Sequence, residues 1–411
     1  MIDFLNLNLS PALQANVNKL GFEKPTPVQA ESIPPALEGR DVVATAQTGT
    51  GKTLAFALPL LQRLTSQTGP KTGIKAVVLS PTRELAIQIN ETFAKLIAGT
   101  GIRTAVVVGG MDESRQLAKI RQGANIVIAT PGRLCDFLQR RLVKLGGVEV
   151  IVLDEADRML DMGFLPSLSA ILKELPTVRQ TLLFSATIEQ SVAHLVKDYV
   201  TDPVRVTIGV STKPAEQVNL HLYEVEQDRK HELLIRLLHA NAGAYLVFTR
   251  TKRGADRLAK NLETSGIETA RIHGDRTQGQ RNQALQGFKN GTHRVLVATD
   301  VAARGIHVDN IAHVVNFDLP EVPEDFIHRV GRTGRAGAKG TASTFMKRAE
   351  RDVIRRIERT LATRLIKMDA PPPIPADYKP APKVITITAA VPPQQRPAAK
   401  NTWRRRRFAS R

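Results

Sequence analysis

At 411 residues, with 42% hydrophobic, 24% charged and 4% aromatic side chains, the chain has the composition of a folded protein of about two domains, not of a disordered polymer. Lys and Arg outnumber Asp and Glu by 58 to 39, and a net charge of +19 points to a polyanionic partner, nucleic acid above all, through phosphate neutralisation and counterion release. The single cysteine, Cys135, excludes a disulfide framework. No stretch approaches the ~20 apolar residues of a membrane span, and Met1 to Ser10 lacks the basic-then-apolar layout of a signal peptide, so a cytoplasmic chain without membrane contact is expected.

In chain order, apolar β-branched runs recur at Asp41–Thr45, Ala76–Leu79, Thr104–Val108, Ile126–Ala129, Val150–Leu153 and Thr181–Phe184, each followed by a turn signal and a helical pattern. Continuous apolar runs suit strands buried on both faces, hence an α/β fold with a mostly parallel sheet covered by helices. From Thr201 to Gln217 the pattern breaks around Pro203, Gly209 and Pro214 and reads as a linker. The grammar then restarts with strands at Leu220–Val225, Tyr245–Phe248, Thr269–Ile272, Val295–Ala298, His313–Phe317 and Thr341–Phe345. Helices are expected at Lys230–Ala240, Gly254–Ser265 and Gly279–Lys289, and a basic helix at Arg348–Lys367 closes the fold. From Pro371 the text is Pro-rich, runs into four arginines at 404–407 and lacks any core-forming period, so it is expected to be disordered. The stretch Lys367–Arg411 carries +8, leaving +11 on the residues before it. The expected limits are therefore a first domain over 1–205, a linker over 206–217, a second domain over 218–367 and a basic tail over 368–411.

Ala46-Gln47-Thr48-Gly49-Thr50-Gly51-Lys52-Thr53 follows a strand and opens a helix, the context of a nucleotide phosphate loop, with Ala46 where the strict pattern has Gly. Its glycines let backbone N–H groups crowd phosphate oxygens at a helix N-terminus; Lys52 can neutralise the β and γ phosphates and the Thr53 hydroxyl can ligate Mg²⁺. Directly after the strand Val150–Leu153 stand Asp154, Glu155, Ala156 and Asp157. At a strand end beside a phosphate loop, Asp154 can hold Mg²⁺ and Glu155 can orient or deprotonate the attacking water. An acidic turn alone reads as a solvated loop; with the phosphate loop upstream, NTP hydrolysis is the better account.

These motifs resemble those of the DEAD-box RNA helicases, whose name Asp154–Asp157 spells, and the match runs in order through residues 4–346. Phe4 and Gly21–Gln29 resemble the adenine-reading Q motif. Pro81–Ala86, Gly109–Gly110, Thr130–Arg133 and Ser185–Thr187 follow; then Tyr245–Arg250, His273–Asp275 with Gln278 and Arg281, Ala298–Asp300, Ala303–Ile306 and His328–Arg335. The short N-terminus and short basic tail look most like the bacterial RhlE-type branch.

The resemblance implies two tandem RecA-like domains that close together on ATP and RNA. Phe22 would stack on adenine and Gln29 read its polar edge, with Phe4, Thr26, Ala46, Gln47, Thr48, Gly49, Thr50, Gly51, Lys52 and Thr53 completing the ATP site. Lys52, Asp154 and Glu155 keep the roles given above, and Thr53 and Asp154 hold the Mg²⁺. Ser185, Thr187 and His328 would couple the acidic motif to the second domain, while Arg332 and Arg335 would be arginine fingers that reach the γ phosphate on closure. RNA contacts would come from Pro81, Thr82, Arg83, Gly110, Thr130, Gly132 and Arg133 in the first domain and from Arg250, Gly274, Arg281 and Thr299 in the second. Contacts of this type engage the backbone and carry little sequence information. One departure is His307, where the family has an acidic residue on the ATP ribose; Asp309, two residues on, is the candidate to stand in for it.

The nine histidines show no ligand spacing, so a metal site beyond nucleotide-bound Mg²⁺ is not expected. Cys135 reads as packing, and Arg351, Arg355, Arg356 and Arg359 read equally as a solvated face or an RNA contact. Trp403, beside four arginines, reads as incidental before it reads as a base-stacking platform. The expected activity is RNA-stimulated ATP hydrolysis by a monomer that unwinds short duplexes or remodels RNA–protein complexes in ribosomal or RNA-decay assemblies. The rivals are a translocating DNA helicase and a non-catalytic RNA-binding or annealing protein driven by the tail.

Overall fold

The apolar runs become strands buried on both faces, and this dictates the architecture. In the first domain β1 (Val42–Thr45), β2 (Ala76–Leu79), β3 (Thr104–Val107), β4 (Ile126–Ala129), β5 (Val150–Asp154), β6 (Gln180–Ser185) and β7 (Val204–Thr207) form one sheet in the order β3-β4-β2-β5-β6-β1-β7. In the second, β8 (Val218–Glu224), β9 (Ala244–Phe248), β10 (Thr269–Ile272), β11 (Val295–Ala298), β12 (Ile311–Asn316), β13 (Gly340–Met346) and β14 (Ile366–Lys367) are ordered β10-β11-β9-β12-β13-β8-β14. All pairings among the described residues are parallel. The computed structural model describes residues 4, 7–46, 49–66, 73–188, 190–208, 218–303, 308, 311–320, 323–334 and 339–371. The expectations that fall on Gln47, Thr48, Arg335, His307, Asp309, the segment 209–217 and the tail beyond Pro371 lie outside these residues.

Parallel strands need crossovers, and helices provide them. The first sheet carries α1 (Pro11–Lys19), α2 (Pro27–Leu37), α3 (Lys52–Ser66), α4 (Arg83–Leu96), α5 (Glu113–Arg121), α6 (Pro131–Gln139), α7 (Ala156–Asp161), α8 (Leu165–Lys173) and α9 (Gln190–Tyr199). The second carries α10 (Lys230–Ala240), α11 (Lys252–Thr264), α12 (Gln278–Lys289), α13 (Asp300–Ala303), α14 (Pro323–Val330) and α15 (Arg351–Leu361). Alternate residues of each strand feed opposite cores, because successive side chains point to opposite faces. Val42 and Ala44 pack with Leu54, Phe56 and Phe93, whereas Val43 packs with Leu153, Met159 and Ile171. Leu246 and Phe248 likewise pack with Phe288, Phe326 and Ile357, while Tyr245 and Val247 meet Leu234 and Leu258 on the other face.

Two expectations are corrected. Val204–Thr207, inside the stretch read as linker and cut by the expected boundary at 205, is the edge strand β7, in register with β1 from Val42↔Val204 to Thr45↔Thr207. Its one buried residue, Val206, lies between exposed Arg205 and Thr207, the half-wet pattern of an edge, which the flanking Pro203 and Gly209 obscure in sequence. The basic helix does not run from Arg348 to Lys367. It follows a 3-10 turn at Arg348–Glu350 and ends at Leu361, where Ala362 takes a left-handed φ of 47°. Glu358 Oε1 then accepts from Leu365 N at 2.9 Å, and Ile366–Lys367 joins β8 as a parallel strand. Leu361 and Leu365, four residues apart and both buried, imitate a continuing helix face in the sequence.

Candidate functional site

In sheets wound this way ligands gather beyond the carboxyl ends of the strands, and most of the singled-out residues of the first domain lie at such ends. After β1 the chain turns through Gly49 and Gly51, at φ of +88° and +91°, into α3. Lys52, buried in the first turn, donates from Nζ to the Ala46 carbonyl at 3.0 Å, so its ammonium lies inside the loop that precedes it. The segment before α2 is fastened to the same loop. Thr26 Oγ1 donates to Thr50 O at 2.7 Å, and Gln29 Nε2 donates to Gly51 O at 3.0 Å, while Gln29 Oε1 accepts from Thr26 N at 2.8 Å. A Cβ on Gly51 would stand 2.4 Å from Gln29 Nε2, so glycine is required here by contact as well as by φ. Gln29 keeps one N–H and one lone pair for a ligand. Phe22 is 39% exposed and can offer its ring to a ligand; Phe4, expected beside it in the ATP site, is not at the surface. At 1% exposure Phe4 packs in the core as an apolar ring should, its centroid 6.3 Å from that of Phe22.

β5 delivers Asp154 and Glu155 buried. Burial pushes the Asp154 carboxyl up, against the charge of Lys52 and with the Glu155 carboxylate beside it, and its Oδ1 has no hydrogen-bond partner among the described residues. Glu155 takes a left-handed turn at φ 52°, ψ 53° and forms an ion pair of 2.5 Å with Arg158. Burial works to raise its pKa too, but the charges of Arg158, Lys52 and Arg332 outweigh it and hold the carboxyl below its ordinary range. Arg332 comes from the second domain, beyond the end of α14, where its Nε donates to the His328 carbonyl at 3.2 Å. The His328 ring is held neutral by burial and by the charge of Arg158, with Asp157, Arg332 and Glu155 also acting on it. One cleft thus gathers Lys52, Asp154, Glu155, His328 and Arg332 from both domains.

Ser185 and Thr187, expected to couple the acidic motif to the second domain, are bonded to the last residue of that motif, Asp157. Ser185 Oγ accepts from Asp157 N at 3.2 Å, and Asp157 Oδ2 accepts from Ala186 N, Thr187 N and Thr187 Oγ1 at 2.9, 3.0 and 3.3 Å. The charges of Asp157 and Arg158 also act on the His328 ring of the second domain, and sequence reasoning gave neither residue a role.

A second concavity of 560 Å³ lies between the domains, lined by Pro81, Thr82, Arg83, Thr130, Gly132 and Arg133 from the first and by Gly274 and Arg281 from the second, together with Glu84, Gly109, Asp136, Met162 and Phe164. Eight of the eleven residues expected to meet RNA line one groove. Gly110 adjoins it: at φ +70° a Cβ would stand 2.0 Å from the Arg83 guanidinium. Thr82 caps α4, its side chain accepting from Leu85 N, and Thr130 precedes α6, so two helix N-termini open here. Arg133 lies over the Phe137 ring and pairs with Glu113 at 2.9 Å. Arg250 and Thr299 are not part of the groove wall: Arg250 N donates to Asp318 Oδ2 at 3.0 Å, and Thr299 is buried before α13.

Arg281 does more than line the groove. Its guanidinium meets buried Glu84 of the first domain at 3.0 Å, and Gln278 Nε2 donates to the other Glu84 oxygen at 3.0 Å. The sequence signal was present, since Glu84 lies inside Pro81–Ala86 and Gln278 stands three residues before Arg281, but spacing alone does not say that they meet. Arg329, in the same motif as Arg332, serves its own domain by a bidentate pair with Asp300 at 2.6 Å. Among the described residues no cluster of three or more His, Cys, Asp or Glu could hold a metal by itself, and no helix is long and apolar enough to cross a membrane.

Two parallel α/β domains, with a phosphate loop and acidic strand end in one and basic side chains closing over them from the other, form a RecA-like helicase core. Residues 26–195 match the family described as DEAD/DEAH box helicase, and 229–337 match the helicase conserved C-terminal domain. The chain is 42% identical over 372 residues to the DEAD-box ATP-dependent RNA helicase CshA of Bacillus cereus, covering 90% of this chain and 70% of that protein. It is equally similar to the Bacillus subtilis protein of that name, over 90% and 74% of the two chains. Among solved structures it is similar to S. cerevisiae Dbp5 bound to RNA and ADP-BeF3, at 30% identity and a TM-score of 0.81 over 89% of this chain and 95% of that one. Mss116p bound to ssRNA and AMP-PNP superposes at a TM-score of 0.82 with 29% identity, over 90% and 80%. The chain belongs to the DEAD-box ATP-dependent RNA helicases.

Proposed function

We propose that this RNA-dependent ATPase and helicase hydrolyses ATP in the cleft that joins Lys52, Asp154 and Glu155 to His328 and Arg332, and that it seats one RNA strand in the groove between Arg83, Arg133 and Gly274. The observation that carries the reading is that both sites are completed by the second domain. A γ phosphate beside Lys52 meets Arg332, and a strand along Arg133 meets Gly274 and Arg281, only when the domains are together. Nucleotide and RNA therefore favour the same closed arrangement, which is what couples them. The higher TM-scores against relatives bound to RNA and an ATP analogue support this, since a DEAD box protein of Methanococcus jannaschii, 37% identical over 90% of the chain, reaches 0.53.

In this reading Phe22 covers the adenine and Gln29 spends its free amide atoms on the base edge. Glu155, kept ionised by Arg158, orients the water and takes its proton; Arg332 meets the charge that grows on the phosphoryl oxygens. Mg²⁺ fits: the buried, unpartnered Asp154 Oδ1 suits a hard cation, and the Thr53 hydroxyl would be the second protein oxygen. When bound, the ion would neutralise phosphate charge. A purely RNA-binding or annealing protein has no use for this gathering of Lys52, Glu155 and Arg332.

The groove residues engage backbone and ribose, so RNA is taken largely without regard to sequence, and its 2′-OH distinguishes it from DNA. Work in the cytoplasm as a monomer on ribosomal or RNA-decay assemblies belongs to the same proposal, as does placement in the RhlE-type branch, whereas the relatives matched above carry the CshA name. The test is ATP turnover with and without RNA, alongside displacement of a short RNA duplex. Turnover indifferent to RNA, or equal displacement of DNA duplexes, overturns the reading.

A further inference from the structure

On the second-domain side the groove wall includes Gly274. Next to it stands Lys252, whose Cε would be 3.1 Å from a Cβ on Gly274 and whose Nζ pairs with Asp275 at 2.6 Å. Lys252 opens α11 behind its cap Thr251, so the helix starts beside Gly274. Arg253, Arg257 and Lys260 follow at i, i+4 and i+7, which puts them on one face, and all three are exposed. None forms an ion pair among the described residues. The two carboxylates of α11 are drawn off that face by β10: Asp256 Oδ1 lies 3.1 Å from both Arg271 Nε and His273 Nε2, and Glu263 Oε1 lies 3.5 Å from Arg271. Among other exposed arginines, Arg140 has Glu113 and Asp136, and Arg351 has Glu224. Like charges at i,i+4 destabilise a helix. A stripe whose own acids are engaged elsewhere is stabilised by an anion from outside.

We propose that α11 is a guide rail for RNA beyond the groove: the phosphates of a strand that continues past Gly274 lie along Arg253, Arg257 and Lys260. The inference rests on the groove being the RNA seat. From Arg253 to Lys260 the helix rises about 10 Å, comparable to about three phosphates at ~3.4 Å along a stacked strand.

The experiment uses the full chain carrying Arg253→Gln, Arg257→Gln and Lys260→Gln together, with two labelled single-stranded RNAs: one only long enough to fill the groove, and the same RNA extended at both ends. Binding is titrated against salt, with Arg83→Ala as the groove control. The triple variant is expected to bind the short RNA, and to hydrolyse ATP at saturating short RNA, as the parent does. On the long RNA the slope of log affinity against log salt should flatten by about 2, at ~0.7 per lost contact, so that the parent's advantage grows roughly 20-fold between 200 and 50 mM salt. Unchanged binding of the long RNA overturns the inference and leaves an acidic protein surface as the partner of α11. Equal weakening on both RNAs overturns it too, because the stripe then acts through the groove. An Arg83→Ala chain that binds the short RNA like the parent removes the groove reading, and the inference falls with it.

Discussion

Glu84 is the residue whose replacement tests domain closure most directly. It belongs to the first domain, is 4% exposed, and meets Arg281 and Gln278 of the second at 3.0 Å each. In Glu84→Ala the closed form leaves the Arg281 guanidinium desolvated without its counter-ion, whereas the separated domains let water reach it. Truncating one partner of a buried charge pair across an interface costs about 2–5 kcal/mol. With part of that returned by Gln278 and by water, closure should lose about 2–4 kcal/mol, roughly a 30- to 1,000-fold shift towards the open form. The apparent affinity for RNA and for an ATP analogue falls by the same population factor. Dyes on the two domains would report closure as analogue and RNA are added, with thermal melting as a control, since the pair forms only between domains and the fold of each should hold. Glu84→Gln keeps an acceptor for Gln278 and should lie between the parent and Glu84→Ala. A closure midpoint in Glu84→Ala within twofold of the parent refutes the argument and reduces Glu84 to part of the groove wall.

Three further outcomes are expected. Arg332→Ala should lower RNA-stimulated turnover by ~10³–10⁵ while leaving ATP bound, because a guanidinium of this type acts on transition-state charge; ATP affinity and single-turnover rates separate the two effects. Gly110→Ala should cost about 1–2 kcal/mol for a side chain at φ +70° and, by displacing the Arg83 guanidinium, should weaken RNA binding more than ATP binding, read by paired titrations. His313, buried against Ser343 Oγ at 2.8 Å, has its pKa lowered by burial from 6.5 to about 4. The unfolded chain then binds the extra proton first, so stability is complete above pH 6.5 and falls as pH drops towards 4, by roughly 3 kcal/mol at most; denaturant melts of the parent and His313→Asn across that window should diverge on the acid side.

The sheet was legible because its strands are buried on both faces and therefore write themselves as unbroken apolar text, from Val42–Thr45 to Gly340–Met346. Edges write less plainly. Val204–Thr207 has one wet flank and a proline beside it, and Ile366–Lys367 is a two-residue strand that no periodicity can announce. In the site, Lys52, Asp154, Glu155 and the groove arginines were readable, since phosphate chemistry restricts residue type and local spacing. What spacing cannot give is which partner lies across a cleft. Ser185 and Thr187 serve Asp157, Arg281 serves Glu84, and Phe4 lies under Phe22 because those partners are tens to hundreds of residues away. Likewise, whether an arginine on α15 is spare depends on its neighbours: Arg351 has Glu224 and Arg355 has Asp352.

That the covalent link leaves the first domain from β7 has a quantitative consequence. β7 is hydrogen-bonded in parallel to β1, the strand that ends in the phosphate loop, and nine residues, 209–217, separate Ile208 from Val218. Fully extended, that length reaches at most about 35 Å. Spread over a sphere of that radius, one domain is present at the other at roughly 10 mM. Contacts between the domains thus need only millimolar strength to hold them together half of the time. The Glu84 pair, the Arg332 approach and the shared groove can each be weak enough to release quickly after phosphate leaves, yet never have to find one another by diffusion through the bulk. A longer tether would dilute the same contacts and slow every cycle, with no residue in either site altered.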